Sequence, residues 1–385
     1  MVLNNVTIPG NDAAVSISIS GGKITQVTPS IANDREQLTF VDAIAFPGLI
    51  NSHDHLDFNL FPQFGNQIYE SYTDWGRYIH RVYADEIASV LKIPIALRER
   101  WGVYKNLLCG VTTVVNHGEK ATINAPLITV FENCQSIHSV QFEKNWRKRL
   151  NHPFKINQPV VIHTGEGTNA AAHTEIDELI KWNLLKRKLI GIHGVAMDIK
   201  QAKHFKALVW CPESNYFLLN KTAAVNELKT KTSILFGTDS TLTGYWDIWY
   251  HIRLARKTKM LTDHELYHSL TSLPAQTWKL NTGRIAIGFD ADIVVVKANS
   301  KPGLQAFYNV TPDDILLVMH KGEILLFDES LYHQLTGITA QSYSKLFTGS
   351  HFKYVQGDIH GLIAEIKGYK PDTNFPVPYP VQPAA

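Results

Sequence analysis

Short apolar runs alternating with helix-like segments fill the middle of this chain, and that rhythm constrains the fold more than any other feature. The runs fall at residues 45–50, 112–115, 136–140, 160–162, 189–192, 208–210 and 234–236. Between them, residues 175–185 carry apolar side chains near helical spacing, and Thr262-Asp263-His264-Glu265 has the form of a capping box. Strand–helix alternation of this kind is the mark of βα units around a parallel sheet. It predicts an α/β chain built on a distorted TIM-type (β/α)8 barrel. Such a barrel needs eight strands where seven runs are visible, so the eighth is expected within 141–158.

The two ends read differently. Residues 15–19 alternate apolar and polar, Gly21-Gly22 makes a turn, and 23–27 follow as a second strand. A related pattern returns at 291–296, and again where 315–319 lead through His320-Lys321-Gly322 into 323–327. Glycine in a tight turn between apolar runs signals a hairpin. Two β-rich ends around a different middle predict a small β-sandwich from 1–47 plus 285–330, and a barrel over 48–284. A C-terminal extension, 331–385, is left without assigned packing, and its proline-rich end, 375–385, is expected to run extended over the surface.

Composition excludes several classes of function. At 385 residues, with 44% hydrophobic and 19% charged, the chain suits a globular enzyme. Its formal net charge is only +2, and the one basic run, residues 144–149, fits a solvated helix face better than a nucleic-acid patch. No apolar stretch reaches the roughly 20 residues that span a bilayer, and Met1-Val2-Leu3-Asn4-Asn5 lacks the basic start and apolar core of a signal peptide. Neither nucleic acid nor membrane is therefore expected as a partner, and the cytoplasm is the expected location. Cys109, Cys134 and Cys211 form no disulfide framework and no CxxC pair.

The chemistry gathers at strand ends, where a barrel builds its active site. The first run ends in Asn51-Ser52-His53-Asp54-His55. Histidines two apart on an extended segment face the same side and can reach one ion. Among 17 histidines a single HxH is a weak signal. It strengthens because 160–162 end in His163-Thr164-Gly165-Glu166, 189–192 end in His193, and 234–236 run into Gly237-Thr238-Asp239-Ser240. Three neutral imidazoles and a carboxylate suit Zn²⁺ or a similar borderline ion, with a position left open for water.

These motifs together resemble the amidohydrolase superfamily, in its branch of deaminases and chlorohydrolases. The resemblance rests on Phe46-Pro47-Gly48-Leu49-Ile50-Asn51-Ser52-His53-Asp54-His55, His163-x-x-Glu166, His193, Cys211-Pro212-Glu213-Ser214-Asn215 and Gly237-Thr238-Asp239-Ser240. Residues 110–114 and 283–292 match the family's phrasing too. It implies one divalent metal, zinc first and iron second, on His53, His55, His163 and Asp239. It implies that Glu166 shuttles protons and that His193 contacts the attacking water or the substrate. Asp239 would also accept a hydrogen bond from that water and help deprotonate it. The expected activity is hydrolysis of a C–N bond in a small-molecule substrate, foremost deamination of a heterocyclic or amidine-like compound. Dehalogenation, or opening of a cyclic amide or imide, is the alternative on the same site. A non-enzymatic scaffold is disfavoured by the intact ligand set, and a purely structural metal would leave Glu166 and His193 without a task. Lys144, Lys148 and Lys155 lie where binuclear relatives carry a bridging lysine, but none ends a strand, so a mononuclear site is expected. The H-x-E and P-C-x-x-C deaminase pattern is not matched: Cys211-Pro212 has the order reversed. A homodimer is left open.

Other residues have weaker claims. His117 either lines the pocket or is a loop histidine. Asn215 is expected to shape its loop, and Cys211 to be a packing thiol rather than a nucleophile. The aromatics between 57 and 75 either stack on a flat ring substrate or cover the barrel mouth. Residues 243–257 read as a helix whose Trp249 packs in the core.

Overall fold

The computed structural model describes residues 1–29, 36–337, 339–348 and 351–377. All of the middle strands run parallel, in two sheets. One contains Leu49–Asp54, Val111–Asn116 and Thr129–Phe131, and the other contains Gln135–Ser139, Val160–Thr164, Leu189–His193, Phe205–Trp210 and Ser233–Phe236. Residues such as Val160, Val161 and Ile162 are buried on both faces, which is what near-continuous apolar runs in a parallel sheet require. At one seam the sheets meet through the N–H groups of Thr238 and Asp239, both 3.1 Å from the His53 carbonyl.

The other seam corrects the expectation of an eighth strand. Residues 141–158 contain no strand; they hold a helix, Trp146–Leu150, and a 3-10 turn, Pro153–Lys155. The extra pairing comes instead from Thr129–Phe131, which borders Val111–Asn116, while Gln135–Ser139 borders Val160–Thr164. Only three residues separate these two segments, far fewer than the dozen or so that a parallel crossover needs. They are therefore one interrupted strand whose first half serves one sheet and whose second half serves the other.

Helices form where their caps and apolar stripes dictate. Asn169 caps Ala170–Trp182, which begins before the expected 175, and the capping box of Thr262 and Glu265 starts Asp263–Leu270 as read. The helix expected over 243–257 starts later, at Ile248, because Asp247 accepts from the Trp249 N–H and sets the N-terminus there. Trp249 is buried, whereas Tyr245 lies outside the helix and is exposed. The basic run sits as expected: Trp146 and Leu150 turn inward, and Arg147, Lys148 and Arg149 turn to solvent. No helix among the described residues is long and apolar enough to cross a membrane.

Both chain ends enter one ten-stranded sheet. The Gly21-Gly22 and Lys321-Gly322 turns have positive φ at both positions, as tight hairpins demand. The ends join where Ala43–Pro47 pairs antiparallel with Ile293–Lys297 and parallel, through Ile44, with Thr7 of Val2–Ile8. The extension also contributes: Tyr343–Thr348 and His351–Gln356 complete the sheet, and the helix Ile359–Tyr369 buries Ile359, Leu362, Ile363 and Ile366. Where the tail is described it packs inward, with Val377 buried and Phe375 edge-on to Trp101 at 4.6 Å. Residues 378–385, the rest of the expected surface tail, lie outside the described residues.

Candidate active site

The ends of the parallel strands bring His53, His55, His163, His193, Glu166 and Asp239 around one point. His53, His55 and His163 each offer a ligand atom within 4.8 Å of the others, and so do His53, His193 and Asp239. Asp239 Oδ1 is 3.6 Å from His53 Nε2 and 3.8 Å from His55 Nε2. His163 Nε2 and His53 Nε2 stand 3.3 Å apart. His163 donates its Nδ1 proton to the His138 carbonyl at 2.9 Å, which leaves Nε2 as a lone pair aimed at the centre. This donor set fits a borderline divalent ion, and the cluster could hold a single one.

Electrostatics prepare the cluster. Burial depresses His55 to about 4, with the neighbouring His53 adding to the effect, and drives His163 well below the usual imidazole range. Unprotonated imidazoles are what a metal requires. Burial alone would raise Asp239, but its hydrogen bond to His53 and the charges of His53, His55 and His193 hold it well below the carboxylate range. Ser214 and Thr243 donate to Asp239 Oδ2 at 2.9 and 3.0 Å, and the Ser240 N–H donates to Oδ1 at 2.8 Å. Glu166 is the opposite case: burial first, then Asp239 and Glu175, push it well above its ordinary value, which favours its protonated form. His193 Nε2 lies 3.5 Å from Glu166 Oε2 and 4.0 Å from Asp239 Oδ2. Asp239 and His193 adopt φ of +59° and +69°, left-handed conformations that cost of order 1–3 kcal/mol in non-glycine residues and gather at functional sites.

A buried polar network fixes the HxH segment from behind. Asp54, between the two histidines, accepts from Lys105 Nζ at 2.9 Å, Asn106 Nδ2 at 2.7 Å and Asn59 Nδ2 at 2.8 Å. Asn51 Nδ2 donates to Thr238 Oγ1 at 2.8 Å, tying the first strand to the loop that carries Asp239.

Two cavities open onto the cluster. One, of about 530 Å³, is walled by Phe58, Tyr72, Trp75, Phe142, Leu218 and Leu242 beside the histidines. The other, of about 640 Å³, lies across His55, Phe58 and His138 and is lined by polar groups including Asn116, Glu99, Glu132 and Lys120. The aromatic segment after HxH divides its roles. Phe58 stacks on His55 at 5.3 Å and Trp75 faces the cavity, while Phe61 and Phe64 are buried in the core.

Several residues were missed or misjudged from sequence. His138 falls one residue short of the end of its strand and lines both cavities. The rule that strand ends carry the chemistry would have found it. The strand closes on His138-Ser139 and holds no lysine, while Lys155 lines the polar cavity beside His138. Asn215 donates to His193 Nδ1 at 2.9 Å rather than only shaping its loop. His117 is buried beside His163, its ring centroid 4.4 Å away, with Nδ1 on Ser136 Oγ and Nε2 unpartnered. Burial and the nearby Asp239 and Glu166 raise the Cys211 thiol well above its usual range, which disfavours a nucleophilic thiolate.

Comparison with known proteins bears on this geometry. Residues 149–325 match the model of the amidohydrolase family. A curated relative, 5-methylthioadenosine/S-adenosylhomocysteine deaminase of Caldicellulosiruptor saccharolyticus, is 24% identical, with 85% of this chain and 92% of the relative aligned. The solved structure of an adenosine deaminase from Xanthomonas campestris with bound zinc superposes with a TM-score of 0.70 at 16% identity, over 96% of this chain and 97% of that one. Atrazine chlorohydrolase TrzN of Arthrobacter aurescens, solved as a mutant with zinc and atraton, gives 0.67 at 15% identity, over 96% and 99%. At these identities the structural likenesses speak for the fold alone. The resemblance read from the motifs is thus borne out: residues 149–325 match the amidohydrolase family, and the curated relative is a deaminase.

Proposed function

We propose that this protein is a metal-dependent hydrolase of non-peptide C–N bonds that deaminates an amino-substituted heterocycle, with one zinc ion on His53, His55, His163 and Asp239. The observation that carries the reading is the convergence of His53, His55, His163 and Asp239 on one point, with the Glu166 carboxyl beside them 3.5 Å from His193 Nε2. When bound, the ion lowers the pKa of a water toward neutrality. Asp239, ionised, accepts a hydrogen bond from the attacking water and orients it. Glu166 delivers its proton to the leaving nitrogen and recovers one from the water, the general acid–base work that ammonia release demands. His193 contacts the reacting atoms from the far side. We also read the two parallel sheets as the wall of a TIM-type barrel, and the terminal sheet as folding over itself into a sandwich. Support for the sandwich is a separate apolar cluster joining Leu3, Ile17 and Leu38 to Ile293, Leu317 and Phe327.

The aromatic cavity suits a flat ring, and the polar cavity beyond His55 suits a hydrophilic substituent on it. A purine carrying a sugar has that bipartite form, and the curated relative is named for adenosine derivatives. Dehalogenation is the second reading, favoured by the likeness to atrazine chlorohydrolase. The test is a screen of the zinc-loaded protein against nucleosides, nucleobases, pterins and chlorotriazines, reading ammonia and chloride. Ammonia from an aminated ring is expected. Chloride without ammonia would establish the second reading, and neither product from any compound would sink both.

A further inference from the structure

His193 has two ring nitrogens, and what it can do depends on which one holds the proton. The answer is set three side chains away. Trp210 closes the strand Phe205–Trp210 with its indole buried, and an indole N–H can only donate. It donates to Thr222 Oγ1 at 2.6 Å. The Thr222 hydroxyl, having accepted that bond, sends its own proton to Asn215 Oδ1 at 3.2 Å. Asn215, with its oxygen so occupied, turns its amide Nδ2 to His193 Nδ1 at 2.9 Å. Nδ1 of His193 therefore accepts, and the ring proton sits on Nε2, directed between Glu166 and Asp239. All four side chains are buried, so water does not compete for these bonds.

We propose that Trp210, Thr222 and Asn215 are positioning residues that lock His193 in its Nε2–H tautomer, committing it to donate toward the reacting atoms and barring it from binding metal. An Nε2–H has no lone pair to offer an ion. The relay thus also keeps the site mononuclear, because a second ion would find no ligand on this strand. The Cys211-Pro212-Glu213-Ser214-Asn215 motif gains a physical reason: successive residues in the first turn of Pro212–Leu219 serve Asp239, through Ser214, and His193, through Asn215. The use of the donated proton rests on the hydrolytic reading above. The tautomer does not.

The test is long-range ¹H–¹⁵N correlation on zinc-loaded protein labelled with ¹⁵N-histidine, with His193→Asn used to assign the signal. An Nε2–H pattern is expected for His193 in the wild type. Thr222→Val frees Asn215 to flip and should shift the ring toward the other tautomer, and Thr222→Ser should restore it. Asn215→Asp presents only acceptors and should invert the ring to Nδ1–H. It should lower kcat about 10–100-fold with little change in KM, the usual scale for groups that orient a site. An Nδ1–H signal in the wild type would overturn the proposal, as would an unchanged tautomer in both Thr222→Val and Asn215→Asp. If Asn215→Asp fails to fold, the Thr222 pair decides. A protein that shows the expected tautomers yet releases no ammonia from any substrate would refute the deaminase reading while leaving the relay intact.

Discussion

The two walls of the cavity are buried alike and yet prepared for opposite tasks. On one, His55 and His163 lose their protons because burial disfavours the charged imidazolium. On the other, burial disfavours the charged carboxylate and pushes Glu166 toward its protonated form. One physical cause, the cost of charge away from water, makes bases ready for a metal on the first wall and an acid ready to give a proton on the second. Asp239 stands between them and escapes the rule only through its three histidine neighbours and its hydrogen-bond donors. Division of labour in this site therefore comes from residue type placed in a common environment, and each wall should fail in its own way.

The largest effect should follow from removing a ligand. His163→Ala or His55→Ala is expected to drop metal content from about one ion per chain toward zero and to abolish turnover. Elemental analysis of the purified variants checks this, and unchanged metal in both would remove the first wall from the argument. Next in size, Glu166→Gln should keep its metal and lose turnover by roughly 10²–10⁴-fold. Loss of metal there would make Glu166 a ligand and collapse the distinction between the walls.

The sequence made the first wall far easier to read than the second. His53, His55, His163 and Asp239 stand at or just beyond strand ends whose apolar runs are long enough to see, so period and position sufficed. His193 and Glu166 were visible for the same reason. Their supports were not: Asn215, Thr222 and Trp210 meet His193 only through tertiary contacts that no local pattern encodes. The extra strand was hidden for another reason. Thr129–Phe131 is too short to carry a period. At the ends, hairpin glycines exposed the strands of the terminal sheet, but the strands at 343–348 and 351–356 fall in the extension left without assigned packing.

A smaller effect is expected behind the first wall. Lys105→Met leaves Asp54 buried without its cation, and breaking such a pair from one side costs about 3–5 kcal/mol. Because Asp54 sits between His53 and His55, zinc affinity should also weaken, by about 10–100-fold. Denaturant melts and competition with a chelator measure the two separately. Normal affinity in a destabilised variant would show that the network supports the fold without aiming the ligands.

The smallest effect belongs to the second wall and concerns pH. Glu175 accepts from the Gly165 N–H at 2.7 Å, holding the turn between His163 and Glu166, and Gly165 adopts a φ of +61° there. Burial, partly opposed by that hydrogen bond and another from Gln141, raises its carboxyl to about 7. The unfolded chain releases this proton near the ordinary value of 4.5, so between the two values the folded state holds more protons. Stability from this group is therefore intact at acid pH, falls as pH rises from 4.5 to about 7, and stays lost above that. Glu175→Gln keeps an oxygen for the Gly165 N–H and cannot ionise. Its melting temperature should gain on the wild type's between pH 5.5 and pH 8, with a ceiling of about 3 kcal/mol for the full titration. Measuring the difference between the two proteins at each pH cancels the titration of the histidines, which both share, while Glu166, partly raised by the Glu175 charge, should itself come down a little in the variant. A difference that stays constant with pH would mean that Glu175 is ionised throughout, and that the acid wall owes its proton to Glu166 alone.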